Sequence, residues 1–274
     1  MKPDTGWRLF LRTIVARAYP RVIGQQRVKK WVFFETVLPL IGTIAYVYVY
    51  KAISAPQDYI GFVVISGAMT AFWINIMWAM AAQLYWEKDS GNLALYIIAP
   101  NSMMAILLGM AMGGMVAASL RAATVLILGT WMFHVPFAVT SVAELFGVFM
   151  LSMVALYGLG MMFASLFLLW GRNAFQMSAV LQEPVYFLSG FYFPVKNFGV
   201  AVATVVSVIP LTLGLDAIRQ LVFATGSSIG FLSVRLEIEL LAVMAVAFVA
   251  GAKYWLDRME KLAVREGALT DRRR

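Results

Sequence analysis

Tyr59–Trp86, YIGFVVISGAMTAFWINIMWAMAAQLYW, runs for 28 residues without Asp, Glu, Lys or Arg, and its reading decides the fold. A helix of roughly 20 residues crosses the hydrocarbon layer of a bilayer, so this stretch is more than long enough. Ser90–Leu120 and Leu145–Gly171 repeat the pattern with 31 and 27 uncharged residues. Three spans follow at once. A fourth is expected over 31–51, with Glu35 near one end, and a fifth over 174–195, apolar except for Glu183. A sixth is expected over 234–254, with Arg235, Glu237 and Glu239 in its first turns. The chain therefore reads as an all-α membrane protein of six transmembrane helices at about 31–51, 59–85, 102–133, 145–170, 174–195 and 234–254, one transmembrane domain over 31–255.

The composition excludes the alternatives. In 274 residues 62% are hydrophobic and 13% charged, which no soluble domain, coiled coil or disordered polymer of this length resembles. With no cysteine and His134 the only histidine, disulfides, thiol nucleophiles, Cys-ligated metals and paired-His metal sites are closed off, and no metal site is expected. The net charge of +8 raises nucleic acid as a partner, but the cations flank apolar spans, which already explains them. Eight Lys and Arg lie in 1–30 and seven in 253–274, so the positive-inside rule puts both termini on the cytoplasmic side, with the loops at Lys88 and Arg172. The aromatic residues Trp31, Trp86, Trp170 and Trp255 fall at the expected inner ends, and Tyr46, Tyr48, Tyr50 and Trp131 at the outer ends.

Within the cytoplasmic basic segment 1–30, Trp7, Phe10, Leu11, Ile14 and Ala18 share one side of a helical wheel ahead of Pro20. This predicts an interfacial helix on the inner leaflet, ended by Pro20. The first long apolar run begins near Trp31 and is a full span, so no cleavable leader is expected. Residues 256–274 form a cytoplasmic basic tail. Asn197–Leu215 has nineteen uncharged residues, yet a seventh crossing would part the two basic ends. Interrupted by Pro210 and followed by Asp216 and Arg219, it reads as an external re-entrant segment before the last helix. Small residues at Gly109, Gly113 and Ala117, and at Gly158, Gly160 and Ala164, suit close helix packing.

Chemistry is sparse. No phosphate-binding G-x-x-x-x-G-K-[ST] motif occurs, and Gly109–Gly114 lacks the lysine, so the chain cannot hydrolyse ATP itself. The internal loop Tyr85–Pro100 places charges first, then Gly91 as a turn, then a short apolar run, which suits a brief helix across the membrane face or a plain connector. Arg121 and Glu183 lie at membrane depth, each costing about 2.5–3.5 kcal/mol if exposed to lipid. They should face protein or water, bridging each other or contacting a substrate. Pro184 should kink the fifth helix near Ser189 and Gly190. Arg235, Glu237 and Glu239 are expected to form an outer collar with Asp216 and Arg219.

Three motifs carry a family resemblance. Glu87-Lys88-x-x-Gly91-Asn92-Leu93-x-Leu95-Tyr96-x-x-x-Pro100 resembles the loop after the second helix of the type-2 permeases of ABC exporters. Glu183-Pro184 through Ser189-Gly190 to Pro194 is similar to that family's pattern in its fifth helix, and Pro210-Leu-Thr through Asp216 to Arg219 to its segment before the last helix. Two departures are Leu213, where an aromatic is often seen, and Glu183, where a neutral residue is frequent. The resemblance implies a coupling helix at about 87–100, with Glu87, Lys88, Gly91, Leu93, Leu95 and Tyr96, seated on an ATP-binding cassette subunit. Two such subunits and two permease copies, self-paired or heterodimeric, would make the exporter. ATP and Mg would be bound by the partner, with no cofactor held directly. The expected cargo is a hydrophobic or amphiphilic compound, drug-like or lipid, with a lipid-linked polysaccharide as the alternative. Expected location is the bacterial cytoplasmic membrane.

Two further classes weigh less. A self-sufficient proton-coupled carrier using Glu183 would suit internal repeats, and the chain has none that is convincing. An intramembrane enzyme needs clustered acids, ligands or a nucleophile with its base, and these acids are scattered.

Overall fold

The computed structural model describes residues 6–27, 29–81, 83–98 and 102–265. Among them the regular structure is helical: α1 Trp7–Arg27, α2 Lys29–Ala52, α3 Gln57–Ile74, α4 Gln83–Asp89, α5 Asn92–Ile98, α6 Met103–Phe133, α7 Val142–Leu188, α8 Val200–Val206, α9 Pro210–Val222, α10 Gly226–Ile229 and α11 Val234–Arg265. A π-helical segment, Asn75–Ala81, leads from α3 toward α4, and a 3₁₀ turn, Val195–Phe198, precedes α8.

Among the described residues four helices are long and apolar enough to cross a membrane: Val32–Ala52, Gln57–Trp78, Met103–Phe133 and Val142–Ser165. The pair Val200–Val206 and Pro210–Val222, bent by 113°, makes a fifth if counted as one span. α3 is the centre of the bundle, with 89% of its apolar window buried against 11% for α2. Because α3 is apolar on every side, it can be enclosed by α2, α6, α7 and α9; α2 is left at the periphery with Phe33, Phe34, Leu38 and Ile41 exposed.

The expected spans 145–170 and 174–195 are two arms of the single 47-residue helix α7. Ser152 on the first arm lies against Gly214 of α9, a Cβ at Gly214 falling 2.8 Å from the Ser152 Cβ. Just beyond the second arm, the Gly190 carbonyl accepts a hydrogen bond from Arg219, also on α9. Ser152 and Leu188 would stand about 54 Å apart on a straight helix. A short stretch of α9 reaches both, so the helical chain doubles back between the arms. The second arm ends at Leu188, not at 195: Gly190 turns left-handed at φ +83°, a conformation glycine adopts without steric cost. Pro184 does not end the helix, which closes another turn through the Ser189 N–H bond to the Val185 carbonyl (2.9 Å).

The segment before the first span differs from expectation too. α1 continues through Pro20 to Arg27. Pro20 and the neighbouring Ala16 lie on the exposed side, so the backbone bond that proline cannot make is lost where the freed carbonyl meets solvent or headgroups. α1 is also docked along α6. Gly109 and Gly113 bring the two backbones together: a Cβ at Gly109 would fall 2.6 Å from the Ile14 carbonyl oxygen, and one at Gly113 2.8 Å from that of Ala18. Ile14 is buried there, while Trp7, Leu11, Val15 and Tyr19 remain exposed as an apolar flank.

Candidate functional site

The loop between the second and third expected spans forms two short helices at an angle, where a single coupling helix over 87–100 was expected. α4 closes with Ser90 N–H to the Trp86 carbonyl (2.9 Å) and Gly91 N–H to the Lys88 carbonyl (3.0 Å). Gly91 then turns at φ +77° and α5 begins. Pro100 lies outside the described residues.

Glu87 is the hub of this corner. Its carboxylate pairs with the Arg17 guanidinium of α1 and accepts from Gln83 Nε2 (3.0 Å) and Asn92 Nδ2 (3.1 Å). The Arg17 guanidinium also lies 4.7 Å from the Tyr96 ring centroid, a cation–π contact that joins α1 to α5. Burial works to raise the Glu87 pKa, but Arg17 and the hydrogen bonds from Gln83, Tyr96 and Asn92 outweigh it and hold the carboxyl below its ordinary value. Burial, partly offset by Arg17, pushes the Tyr96 hydroxyl up to about 12.

The six residues expected to meet an ATPase divide by exposure. Glu87, Lys88 and Leu93 are buried against the rest of the chain and brace the corner from within. Gly91 and Leu95 face outward, Tyr96 is half-buried, and Trp86 adds a second exposed apolar group. The outer surface is thus a polar turn, Asp89–Asn92, flanked by Trp86 and Leu95.

At membrane depth Arg121 pairs with Glu35 of α2. The Glu183 and Pro184 side chains lie outside the described residues, although both backbones belong to α7. Near them a cleft of about 270 Å³ opens between α2, α3 and the second arm of α7. Thr43, Ser66, Thr70 and Gln182 supply polar groups to an otherwise apolar wall, and Trp78 Nε1–H donates to Gln182 Oε1. Tyr192, also on this wall, stacks on Tyr46 with ring centroids 3.6 Å apart. Asn75, at the start of the π-helical segment, accepts from the Tyr157 hydroxyl (3.2 Å).

At the other end Arg219 is buried and turned into the bundle. It donates to Ser66 Oγ and to the Gly190 and Phe191 carbonyls, the last at 3.3 Å, and lies 5.4 Å from the Phe62 ring centroid. One side chain so ties α9, α3 and the end of α7 together; Ser189 is buried beside it. Asp216 accepts from the Phe231 N–H (2.7 Å) and Gln220, whose amide also donates to Glu237 (3.0 Å). Pro210 starts α9 at its first position, where its missing N–H costs nothing. The expected collar is therefore corrected: Arg235 stays outside it, exposed and paired only with Glu239 (3.3 Å) among the described residues. Positions two apart on a helix point about 200° apart, so Arg235 cannot share the inward face of Glu237. Sequence reasoning missed Arg17, Glu35, Asn75, Gln182 and Gln220. For Glu35 a signal existed, an acid at the end of an apolar span requiring a cation, but not the identity of that cation.

Comparisons with known proteins agree with this architecture. A family model described as ABC-2 type transporter matches residues 11–223. The probable multidrug ABC transporter permease YbhR of Escherichia coli (strain K12) and its counterpart in Escherichia coli O157:H7 are each 27% identical to the chain over 164 residues. That region is 60% of this chain and 44% of each relative, so the chain matches less than half of their length. The corner built on Glu87, the cleft beside Gln182 and the Arg219 tie fall inside residues 11–223, and the chain belongs to the ABC-2 type transporter family.

Proposed function

We propose that the protein is the permease of an ATP-driven exporter that moves a hydrophobic or amphiphilic compound, drug-like or lipid, across the bacterial cytoplasmic membrane. A lipid-linked polysaccharide is the alternative cargo. The observation that carries the reading is the corner at 83–98, whose exposed Trp86 and Leu95 flank a turn braced from behind by Glu87 and Arg17. This is a rigid ridge on which a partner can push. Two ATP-binding subunits would bind ATP and Mg and seat on it, and a second permease copy would complete the path, self-paired or heterodimeric. The cleft lined by Thr43, Ser66, Thr70 and Gln182 is the part of the path this copy contributes. Support for a drug-like cargo comes from the name of the Escherichia coli relatives. Six crossings are proposed: the four long apolar helices, the second arm of α7, and α11, with α8 and α9 re-entrant on the outer side and both basic ends in the cytoplasm.

The test is reconstitution with the ATP-binding partner in proteoliposomes. Glu87→Gln and, separately, Gly91→Val should leave the complex assembled and ATP turnover present while export per ATP falls by about ten-fold, since each displaces the ridge. Export unchanged in both variants would refute the coupling role.

A further inference from the structure

Between α1 and the bundle lies a second cleft, of about 440 Å³, lined by Arg17, Arg21, Glu35, Trp78, Gln83 and Glu87 among others. Its size is that of small-molecule sites. The charges around it do not balance. Glu87 is committed to Arg17 and Glu35 to Arg121, which leaves Arg21 over. Among the described residues Arg21 has no acceptor, and its Nε is buried without one. Arg17 stands one turn away on the same face, a like-charge pair at i, i+4 that is unfavourable without an anion between. Burial draws the Arg21 pKa down to about 10, with Arg17 and Arg121 adding to the fall and the nearby Tyr157 and Glu87 opposing it, so the guanidinium is still charged at neutral pH but poorly solvated. A planar guanidinium in this state is a phosphate receptor, able to donate two parallel hydrogen bonds.

The surroundings indicate where the phosphate comes from. Gly24, at the mouth, has nothing within 4 Å of where a Cβ would stand, so the cleft is open along α1. The same helix exposes Trp7 and Leu11 ahead of the cleft, and α2, whose Glu35 lines it, exposes Phe34 and Leu38. An anionic amphiphile in the leaflet touching these residues could lay its tails on them with its headgroup at Arg21. We propose that this cleft binds the phosphate headgroup of an anionic amphiphile from the leaflet in which α1 lies, with Arg21 as the principal anchor. The proposal rests on the proposed placement of α1 at the membrane surface and not on ATP coupling.

The experiment uses the full chain in nanodiscs of phosphatidylcholine doped with phosphatidic acid. Native mass spectrometry counts the phosphatidic acid retained, and dioctanoyl phosphatidic acid and inorganic phosphate are titrated as competitors. Arg21→Gln should weaken phosphatidic acid binding by about ten-fold, as expected for loss of a charge-assisted contact, and Arg21→Lys should recover part of it. Arg8→Gln, the same charge change on an exposed position of α1, should have no comparable effect. Equal weakening in Arg8→Gln and Arg21→Gln would overturn the proposal, since general attraction to an anionic surface would then explain it. Competition by inorganic phosphate as tight as by the short-chain lipid would overturn the lipid source, leaving a seat for a soluble phosphate. Should Arg21→Gln fail to fold, a phosphatidic acid carrying a headgroup diazirine reads the wild type directly. Crosslinks to Arg17–Gly24 or Trp78–Glu87 support the site, and their absence refutes it. Export measured on the same preparations reports the transport reading separately.

Discussion

Replacing Gly109 by alanine tests the docking of α1. The added Cβ would lie 2.7 Å from the Arg17 Cβ and 2.6 Å from the Ile14 carbonyl oxygen. Ordinary carbon contacts begin near 3.5 Å, so α1 must retreat by about 0.8 Å. No rotamer relieves the clash, because the closest atom is backbone. Overpacking of this kind costs about 1–3 kcal/mol, offset by less than about 1 kcal/mol from the better helix propensity of alanine. The displacement falls on Arg17 itself, so its pairing with Glu87 weakens as well. Equilibrium unfolding in mixed micelles, followed by tryptophan fluorescence, measures the loss. Gly147→Ala is the reference, because a Cβ there meets nothing within 4 Å. Gly113→Ala, 2.8 Å from the Ala18 carbonyl oxygen, should destabilise similarly, and the double variant should lose less than the sum, since one retreat serves both clashes. If Gly109→Ala unfolds at the same denaturant concentration as Gly147→Ala, the close docking of α1 on α6 is refuted.

Other outcomes follow from the same geometry. Glu87 has a folded pKa below its ordinary 4.5, so its contribution to stability is complete above that value and disappears as pH falls through the lower folded one. Unfolding of the wild type relative to Glu87→Gln should therefore differ at neutral pH by about 1–2 kcal/mol, a gap that closes only in acid well below pH 4.5. Arg219→Met strands the buried Gly190 and Phe191 carbonyls; it should lower stability by about 3–5 kcal/mol in the same micelle assay, with Arg219→Lys restoring less than half because its shorter chain stops short of these carbonyls. Single cysteines introduced at Arg8 and Lys261 should react with an impermeant maleimide only in inside-out vesicles; labelling of the two from opposite faces would refute the proposed topology.

Much of this was legible along the chain, because bilayer thickness turns charge-free length directly into structure. Tyr59–Trp86 and Ser90–Leu120 needed no partner to be understood, and Gly91 announced its turn because few other residues reach φ +77°. Pairing was not legible. That Arg121 meets Glu35 depends on how α2 leans against α6, which no local pattern records. Arg219 looked like a collar residue because it sits one turn from Asp216; its length instead carries it into the bundle to carbonyls 28 and 29 residues away. Gly109 and Gly113 were legible as small, but only the fold shows that their neighbour is α1.

The π-helical segment Asn75–Ala81 stands between the cleft at Ser66 and Thr70 and the corner at Glu87. Its wide turn accommodates an extra residue, which offsets the stretches before and after by about 100° about the helix axis. Were it to tighten into ordinary α-helix, the lower stretch would swivel by that amount and swing Glu87 off Arg17, while Ser66 stayed with Arg219. The third helix thus holds about a quarter turn of winding in reserve between its two mouths.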